Sequence, residues 1–212
     1  MGELWQRIDG GGVGRPVMVV SPTSWTADED FALLLEALAR CEAQLSATGH
    51  TGPPLLMLLT GSGPLRAEYE AELARLPRAH VYAHTLWLRA EDYPTVLAAA
   101  DLGLSLHRSA SGLDLPMKIA DMFGAGLPVC AFDYGACLRE IVRPGENALL
   151  FSSAAELAAQ LCRVVQRSPD DAALLARLRT GAVAAASERW DDAWSAHAAP
   201  PVLGERRRGV AA

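Results

Sequence analysis

The chain has 212 residues, of which 50% are hydrophobic and 21% are charged, so it can bury one substantial core but is too short for two full-sized domains. Its net charge of −6 opposes binding to nucleic acid, and its apolar runs fall short of the roughly 20 residues that a membrane-spanning helix needs. The four cysteines are widely spaced, which predicts neither disulfides nor structural zinc. The first residues lack signal-peptide features, and both observations favour a reducing compartment.

Secondary structure alternates along the chain after a predicted flexible linker at residues 1–15. The glycine cluster 10–14 precedes the first strand instead of following one, which argues against a dinucleotide-binding fingerprint. Apolar runs predict strands at 17–21, 55–60, 79–84, 101–107, 129–132 and 148–151. Capping residues and apolar spacing predict six helices. The first follows a capping box at 26–29, the next three cover 65–76, 91–99 and 115–125, the fifth begins at the capping residue Ser153, and the last runs from 168 to about 189.

This alternation predicts an α/β fold over residues 16–198, with a Rossmann-like, mostly parallel sheet covered by helices on both faces. The arginine-rich segment 199–212 is predicted to be a disordered tail. Ligands of such sheets bind outside the carboxyl ends of the strands. The segments expected there are 21–26, 61–64, 85–88, 107–118 and 132–137.

Lys118, the only lysine of the chain, lies in the first turn of the helix predicted at 115–125. A lysine there opposes the helix dipole unless an anion binds nearby, and a diphosphate is the natural candidate. Asp121 lies on the same helix face, where its carboxylate would suit the vicinal hydroxyls of a ribose. An ordinary ion pair between the two residues explains the spacing equally well.

Several motifs together make the sequence recognisable. The stretch Leu115-Pro116-x-Lys118-x-x-Asp121-Met122-x-Gly124-x-Gly126-x-Pro128-Val129 resembles the nucleotide-sugar signature of GT-B glycosyltransferases. Together with Ser24-Trp25-Thr26, Glu91-Asp92-Tyr93-Pro94, Asp101-Leu102-Gly103 and Ser111-Gly112-Leu113-Asp114, it closely resembles the chitobiosyldiphosphodolichol beta-mannosyltransferase family of asparagine-linked glycosylation. The resemblance covers about residues 15–197.

The resemblance implies a GDP-mannose-dependent beta-1,4-mannosyltransferase that acts on dolichol-diphosphate-linked chitobiose at the cytosolic face of the endoplasmic reticulum. No cofactor and no metal are expected. The fold implied is the C-terminal, donor-binding domain of a GT-B enzyme. The donor-binding residues that the motifs imply are Ser24, Trp25, Thr26, His107, Ser111, Gly112, Asp114, Lys118 and Asp121. Among them, Lys118 would contact the diphosphate and Asp121 the ribose.

Two departures from the family pattern limit what the resemblance implies. Many related retaining enzymes carry two glutamates eight positions apart, whereas this chain has Leu113 and Asp121 there. An inverting enzyme whose base comes from elsewhere fits that absence, and no catalytic residue is assigned. Family members also have an N-terminal membrane anchor and an acceptor-binding domain, which this chain is expected to lack. The chain is therefore expected to be catalytically incomplete alone, and a soluble cytoplasmic location is the alternative to the membrane.

Other candidates keep a structural alternative. His80 and His84 are interpreted as structural, and Gly61 and Gly63 as turn residues. His107 either contacts ligand or is a satisfied histidine at a strand end. Trp190 and Trp194 lie one helical turn apart and have two interpretations: they are part of the core, or they are exposed and available to a partner.

Three functions follow from these patterns. The first is a mannosyltransferase-family protein that retains the GDP-mannose site. The second is a non-catalytic module that binds nucleotide sugar, associates with itself, or pairs with a full-length mannosyltransferase that binds lipid-linked chitobiose. The third is a general α/β nucleotide-binding domain unrelated to sugar transfer.

Overall fold

The computed structural model describes residues 14–109, 111–187 and 189–203. Most of the predicted linker and the end of the predicted tail therefore lie outside the described residues. Within these ranges six strands form one parallel sheet in the order β3-β2-β1-β4-β5-β6. The strands are β1 (Val17–Pro22), β2 (Leu55–Thr60), β3 (Val81–Leu86), β4 (Leu102–Ser105), β5 (Val129–Phe132) and β6 (Ala148–Phe151).

Helices connect the strands and continue after the last one. They are α1 (Phe31–Ala47), α2 (Arg66–Leu73), α3 (Tyr93–Ala99), α4 (Met117–Gly124), α5 (Ala154–Gln166), α6 (Pro169–Ala185), α7 (Trp190–Ala193) and α8 (Ala199–Leu203). A 3₁₀ turn covers Cys137–Glu140, and a π-helical turn, Trp194–Ala198, joins α7 to α8. The strand order reverses between β1 and β4, which places a crevice at the carboxyl ends of these two strands.

The sheet separates two apolar cores. Val17 and Val19 of β1 face the core built with α1 and α5, whereas Val20 faces the core built with α3, α4 and α6. Across the contact of α1 with α5, the free thiols of Cys41 and Cys162 lie 3.2 Å apart. Because both faces are covered, the central strands are apolar on both sides, as the sequence predicted.

Several element boundaries differ from the predicted ones. Strand β3 begins two residues late, at Val81, because its register with β2 pairs Leu55 with Val81. His80 therefore precedes the strand, and its ring lies 5.7 Å from that of His50. Helix α6 ends at Ala185 instead of running to 189, and residues 199–203 of the predicted tail continue as helix α8 from the alanine-rich π-helical turn.

The capping box predicted at 26–29 is wrong. Asp30 is the N-cap of α1, and its carboxylate accepts the N–H of Leu33 at 2.9 Å. Glu29 instead turns inward, where its side chain is almost completely buried. The helix therefore starts four residues later than the pattern indicated, and an acidic side chain becomes available inside the β1–α1 loop.

One of the two hydrogen bonds of the capping box predicted at the start of α5 is confirmed: the Ser153 hydroxyl accepts the N–H of Glu156. Replacing Ser153 by alanine is expected to lower the free energy of unfolding by about 1 kcal/mol, since it leaves that N–H without its acceptor. Thermal unfolding should then occur about 2–4 °C lower. An unchanged melting temperature would show that water replaces the cap at no cost.

Two glycines bring the β2–α2 turn against the β1–α1 loop. Gly61 has a φ of +95°, and a Cβ there would lie 2.0 Å from the carbonyl oxygen of Thr23. A Cβ on Gly63 would lie 1.9 Å from the carbonyl oxygen of Ser24. The structural interpretation of both glycines is confirmed: they let backbone approach backbone and so position the loop that carries Ser24.

Candidate functional site

A cleft of about 450 Å³ opens at the carboxyl ends of β1 and β2. Lys118 and Asp121 of α4 line one side of it, so the structure brings together the two residues that the sequence singled out. The other lining residues come from the loops after β1, β2 and β3 and from the start of α3; they are Pro22, Thr23, Thr60, Gly61, Trp87, Leu88, Ala90 and Tyr93. The cleft therefore lies where parallel sheets bind their ligands.

Lys118 reaches across from α4 to the β1–α1 loop. Its ammonium nitrogen lies 3.0 Å from the Ser24 hydroxyl and 2.5 Å from Oε1 of Glu29. The ion pair of Lys118 is thus made with Glu29, 89 positions away, and not with Asp121 of its own helix. No side chain caps the N-terminus of α4, so its first N–H groups lie next to this ammonium without a side-chain acceptor.

Glu29 is a residue of the candidate site that the sequence analysis missed. Its Oε2 accepts the backbone N–H groups of Ser24 at 2.8 Å and Trp25 at 2.9 Å, while Oε1 faces Lys118. The Glu29 side chain is only 2% exposed. The only sequence signal was proximity, since Glu29 lies three residues beyond the ligand segment predicted at 21–26, and the Thr-x-x-Glu spacing assigned it to a helix cap.

Asp121 faces the cleft from one turn further along α4. Its carboxylate accepts a hydrogen bond from the Tyr93 hydroxyl of α3 at 3.3 Å. Burial, reinforced by the neighbouring Asp121, raises the pKa of Tyr93, so the phenol stays protonated and donates. Tyr93 thus orients the carboxylate and leaves acceptor positions open toward the cleft.

His107 links two loops just beyond the end of β4. Its Nε2 lies 2.5 Å from Asp114 and its Nδ1 lies 3.2 Å from Asp28. Its backbone also forms a bridge with Glu29. His107 therefore ties the 107–116 loop to the β1–α1 loop, and the structure brings it together with the predicted site residue Asp114.

Asp114 is the centre of the loop that precedes α4. The hydroxyl groups of Ser109 and Ser111 donate to its carboxylate, and Ser109 also accepts the N–H of Gly112, which has a φ of +71°. The hydrogen bond from Ser109, followed by that from His107, lowers the pKa of Asp114 to about 2. The carboxylate is therefore charged at neutral pH and holds the loop in shape.

The two residues after Ser24 have different positions. The Trp25 side chain is fully buried and stacks on Phe31 with ring centroids 4.6 Å apart, so Trp25 can face the cleft only with its backbone. The predicted site residue Thr26 is half-buried, and the hydrogen bond from its hydroxyl is the main cause that lowers the pKa of Asp28. Of the three residues, Ser24 alone contacts Lys118 with its side chain.

A tryptophan that no motif identified also lines the cleft. Trp87 follows β3 directly and is 68% exposed, which is unusual for a side chain of this size. The sequence placed 85–88 among the ligand loops without assigning a role to this residue. The exposed aromatic ring of Trp87 provides a surface at the cleft on which a planar ligand group can stack.

In the described part of the chain, no group of three or more His, Cys, Asp or Glu side chains is arranged to hold a metal ion. Of the helices described above, none has the length and apolar character required to cross a bilayer.

The family is decided by a comparison with protein-family models, in which residues 15–167 match the model of glycosyl transferases group 1. The chain belongs to this family of glycosyltransferases. The match begins just before β1 and ends after α5, so it includes Glu29, Lys118 and Asp121. A general nucleotide-binding domain unrelated to sugar transfer is therefore excluded.

Similar proteins carry the name that the motifs suggested. The chain is 50% identical over 190 residues to chitobiosyldiphosphodolichol beta-mannosyltransferase of Mus musculus, covering 90% of this chain and 39% of that protein. It is 47% identical to the protein of the same name in Homo sapiens and 46% identical to UDP-glycosyltransferase TURAN of Arabidopsis thaliana, covering 89% and 88% of this chain but 40% and 43% of those proteins. The chain spans about two fifths of these relatives, and the predicted resemblance is confirmed.

Solved glycosyltransferase structures share the fold. Anabaena HepE in complex with UDP-glucose superposes with a TM-score of 0.68 at 24% identity, covering 97% of this chain and 52% of that one. Staphylococcus aureus TarM superposes with a TM-score of 0.65 at 13% identity, covering 89% and 34%. The prediction of a Rossmann-like domain of GT-B type is confirmed.

Proposed function

We propose that this glycosyltransferase chain is the donor-binding domain of an enzyme that transfers mannose from GDP-mannose to dolichol-diphosphate-linked chitobiose, with a beta-1,4 linkage. The observation that carries the proposal is the convergence of Lys118, Ser24 and the open N-terminus of α4 beside the cleft that also contains Asp121. Similarity to beta-mannosyltransferases over 90% of the chain supports it.

In the proposed reaction, an acceptor hydroxyl oxygen forms a bond to C1 of mannose while the bond from C1 to the diphosphate oxygen breaks. GDP leaves with the bonding electron pair, and the acceptor proton passes to a base. Negative charge grows on the diphosphate, so Lys118 and the first N–H groups of α4 stabilise the transition state more than the bound donor. Asp121 accepts hydrogen bonds from the ribose hydroxyls.

The 107–116 loop is proposed to contact the donor sugar and phosphate through Ser111, Gly112, Asp114 and His107. Because a full ammonium charge and a helix N-terminus meet the diphosphate, the proposed donor site uses no cofactor and no metal. The proposed cellular location is the cytosolic face of the endoplasmic reticulum membrane, where a lipid-linked chitobiose would be the acceptor.

Calorimetric titration of the chain with GDP-mannose, GDP and UDP-N-acetylglucosamine tests the proposed function. Both guanine nucleotides are expected to bind, whereas UDP-N-acetylglucosamine is expected to show no binding. The affinities of GDP-mannose and GDP are expected to be the same in EDTA and in Mg²⁺. Tighter binding of the uridine nucleotide would contradict the proposed donor, and binding that disappears in EDTA would contradict the metal-free site. Absence of any nucleotide binding would overturn the proposed function itself.

Replacing Asp121 by asparagine is expected to weaken GDP binding about twofold to tenfold, because the amide keeps one acceptor oxygen but loses the charged hydrogen bond to ribose. Isothermal titration measures the change. Tyr93→Phe is the control, since it removes the hydroxyl that orients Asp121 and leaves the carboxylate, so its effect should be smaller. A loss for Asp121→Asn larger than that for Lys118→Ala would reverse the proposed roles of the two residues.

A second candidate function, a partner-binding module, rests on an exposed tryptophan pair. Trp190 is 73% exposed and Trp194 is 37% exposed, and their rings stack with centroids 5.5 Å apart. The core alternative for these residues is therefore wrong: the pair leaves apolar surface in water, which favours association with a second copy or with a full-length mannosyltransferase.

Sedimentation at micromolar concentration is expected to show self-association that Trp190→Ser and Trp194→Ser each reduce, because each substitution removes part of the apolar surface. Burial of an interface on the order of 600–1,500 Å² supports only modest affinity, so dissociation should be visible on dilution. A strictly monomeric wild type, with both substitutions changing the melting temperature alone, would remove the physical support for this second function.

A further inference from the structure

Glu29 is a buried acid that places more acceptor oxygens and charge in the β1–α1 loop than the backbone N–H groups of that loop require. The carboxylate lies between the β1–α1 loop and the first turn of α4, with a side chain that is 2% exposed. Two backbone N–H groups, those of Ser24 and Trp25, need an acceptor at this point. One neutral oxygen would satisfy them, because both donate to the same atom, Oε2.

The second carboxylate oxygen makes a different contact. Oε1 faces the ammonium of Lys118 at 2.5 Å, and the Ser24 hydroxyl lies 3.0 Å from the same nitrogen. A buried carboxylate is costly unless it is paired, and a lysine in the first turn of a helix is unfavourable without a nearby negative charge. Each of the two charged groups thus requires the other.

The geometry of the ammonium follows from these contacts. A lysine ammonium has three N–H donors, and Glu29 and Ser24 engage two of them. The third donor remains for a ligand, and the ammonium is held at the edge of the cleft beside the N-terminus of α4. The flexible four-carbon stem of lysine would not keep one position without such partners.

We propose that Glu29 is a positioning residue of the donor site, which holds Lys118 so that its third N–H donor meets the diphosphate. This inference rests on the proposed function and deepens it. Without the Glu29 charge, the nearest acid on the same helix face is Asp121, three residues further on. Lys118 would then pair with Asp121, which withdraws the ammonium from the phosphate, while the remaining lone pairs of the Asp121 carboxylate stay available to ribose.

If Glu29 positions Lys118, removing the Glu29 charge should change GDP affinity in the opposite direction from a simple through-space charge effect. Removal of a negative charge near an anion site should strengthen anion binding if only the net charge matters. If Glu29 positions Lys118, Glu29→Gln should instead weaken GDP binding, although the amide oxygen still accepts the two backbone N–H groups. We expect a loss of about tenfold, the order of magnitude of one charge-assisted hydrogen bond.

The experiment measures GDP and guanosine affinities of the full chain and of Glu29→Gln, Lys118→Ala and the double variant, by titration calorimetry for GDP and ligand-observed NMR for guanosine. Glu29→Gln is expected to weaken GDP binding and to leave guanosine binding unchanged, since guanosine lacks the diphosphate. In the Lys118→Ala background, Glu29→Gln is expected not to weaken GDP binding any further, because no ammonium is left to position and the substitution only removes a negative charge near the diphosphate.

A matched control is available at the opposite end of the sheet. Glu42 is also a buried glutamate, 5% exposed, and its Oε2 accepts two backbone N–H groups, those of His80 and Val81. Glu42→Gln should lower the melting temperature as Glu29→Gln does, yet leave GDP affinity unchanged. This control separates the loss of a buried carboxylate from the loss of a positioned lysine.

The outcomes distinguish the inference from the proposed function. If wild type binds GDP and Glu29→Gln binds it equally well or more tightly, Glu29 does not position Lys118. An equal loss of guanosine binding, or a loss of GDP affinity on Glu29→Gln that persists without Lys118, would show a general role in loop structure and would also overturn the inference. If wild type binds no nucleotide, the proposed function fails, and the inference fails with it.

Discussion

Replacing Lys118 by alanine is expected to weaken GDP binding by about tenfold to more than a hundredfold, because a charge-assisted hydrogen bond of about 1.5–3 kcal/mol is lost. The structure makes Lys118 the one cation held at the cleft by protein contacts, among the residues it describes. The substitution also leaves Glu29 as an unpaired buried acid next to the diphosphate, which adds repulsion to the lost attraction. Titration calorimetry measures the affinity.

The control is Arg40→Ala, which removes one positive charge from the exposed surface of α1, where Arg40 pairs with Glu36. Its GDP affinity should equal that of wild type, because Arg40 does not line the cleft and its exposed charge is screened by salt. If Lys118→Ala binds GDP as tightly as wild type, the phosphate role of Lys118 is wrong. A cooperative thermal transition confirms that Lys118→Ala is folded, even though the unpaired Glu29 lowers its melting temperature.

Replacing Gly61 by alanine is expected to lower the free energy of unfolding by about 3 kcal/mol or more. Two costs add: the φ of +95° is unfavourable for any residue with a Cβ, and the new Cβ would meet the carbonyl oxygen of Thr23 at 2.0 Å. Since that oxygen belongs to backbone, the β1–α1 loop must move. Thermal unfolding should begin about 6–12 °C lower.

Gly49→Ala separates the two costs, because Gly49 has a φ of +62° with no atom within 4 Å of an added Cβ. That variant should lose only about 1–2 kcal/mol, the backbone contribution alone. Gly61→Ala should also weaken GDP binding, since Ser24 lies on the loop that is displaced. Equal destabilisation by the two substitutions would show that the turn yields without moving the loop.

The elements that depend on local pattern were predictable from the sequence. Strands β2, β5 and β6 have the predicted bounds, because short apolar runs between turn residues have few alternative conformations. The helix predicted at 115–125 is present as α4, although it begins two residues later, at Met117, and the predicted glycine terminator Gly126 has a φ of +69°. Where boundaries were wrong, as in β3, pairing with a neighbouring strand decided the register, and no local pattern contains that information.

For the site, the sequence specified Lys118 and Asp121, since a lone lysine in a first helical turn conflicts with the dipole and so indicates a ligand. The tertiary structure decided what holds that lysine: its partner Glu29 is 89 positions away, and local spacing had assigned Glu29 to a helix cap. It likewise buried the Trp25 side chain and exposed Trp87. Burial and long-range ion pairing depend on which loops meet at the sheet edge, which only the folded chain determines.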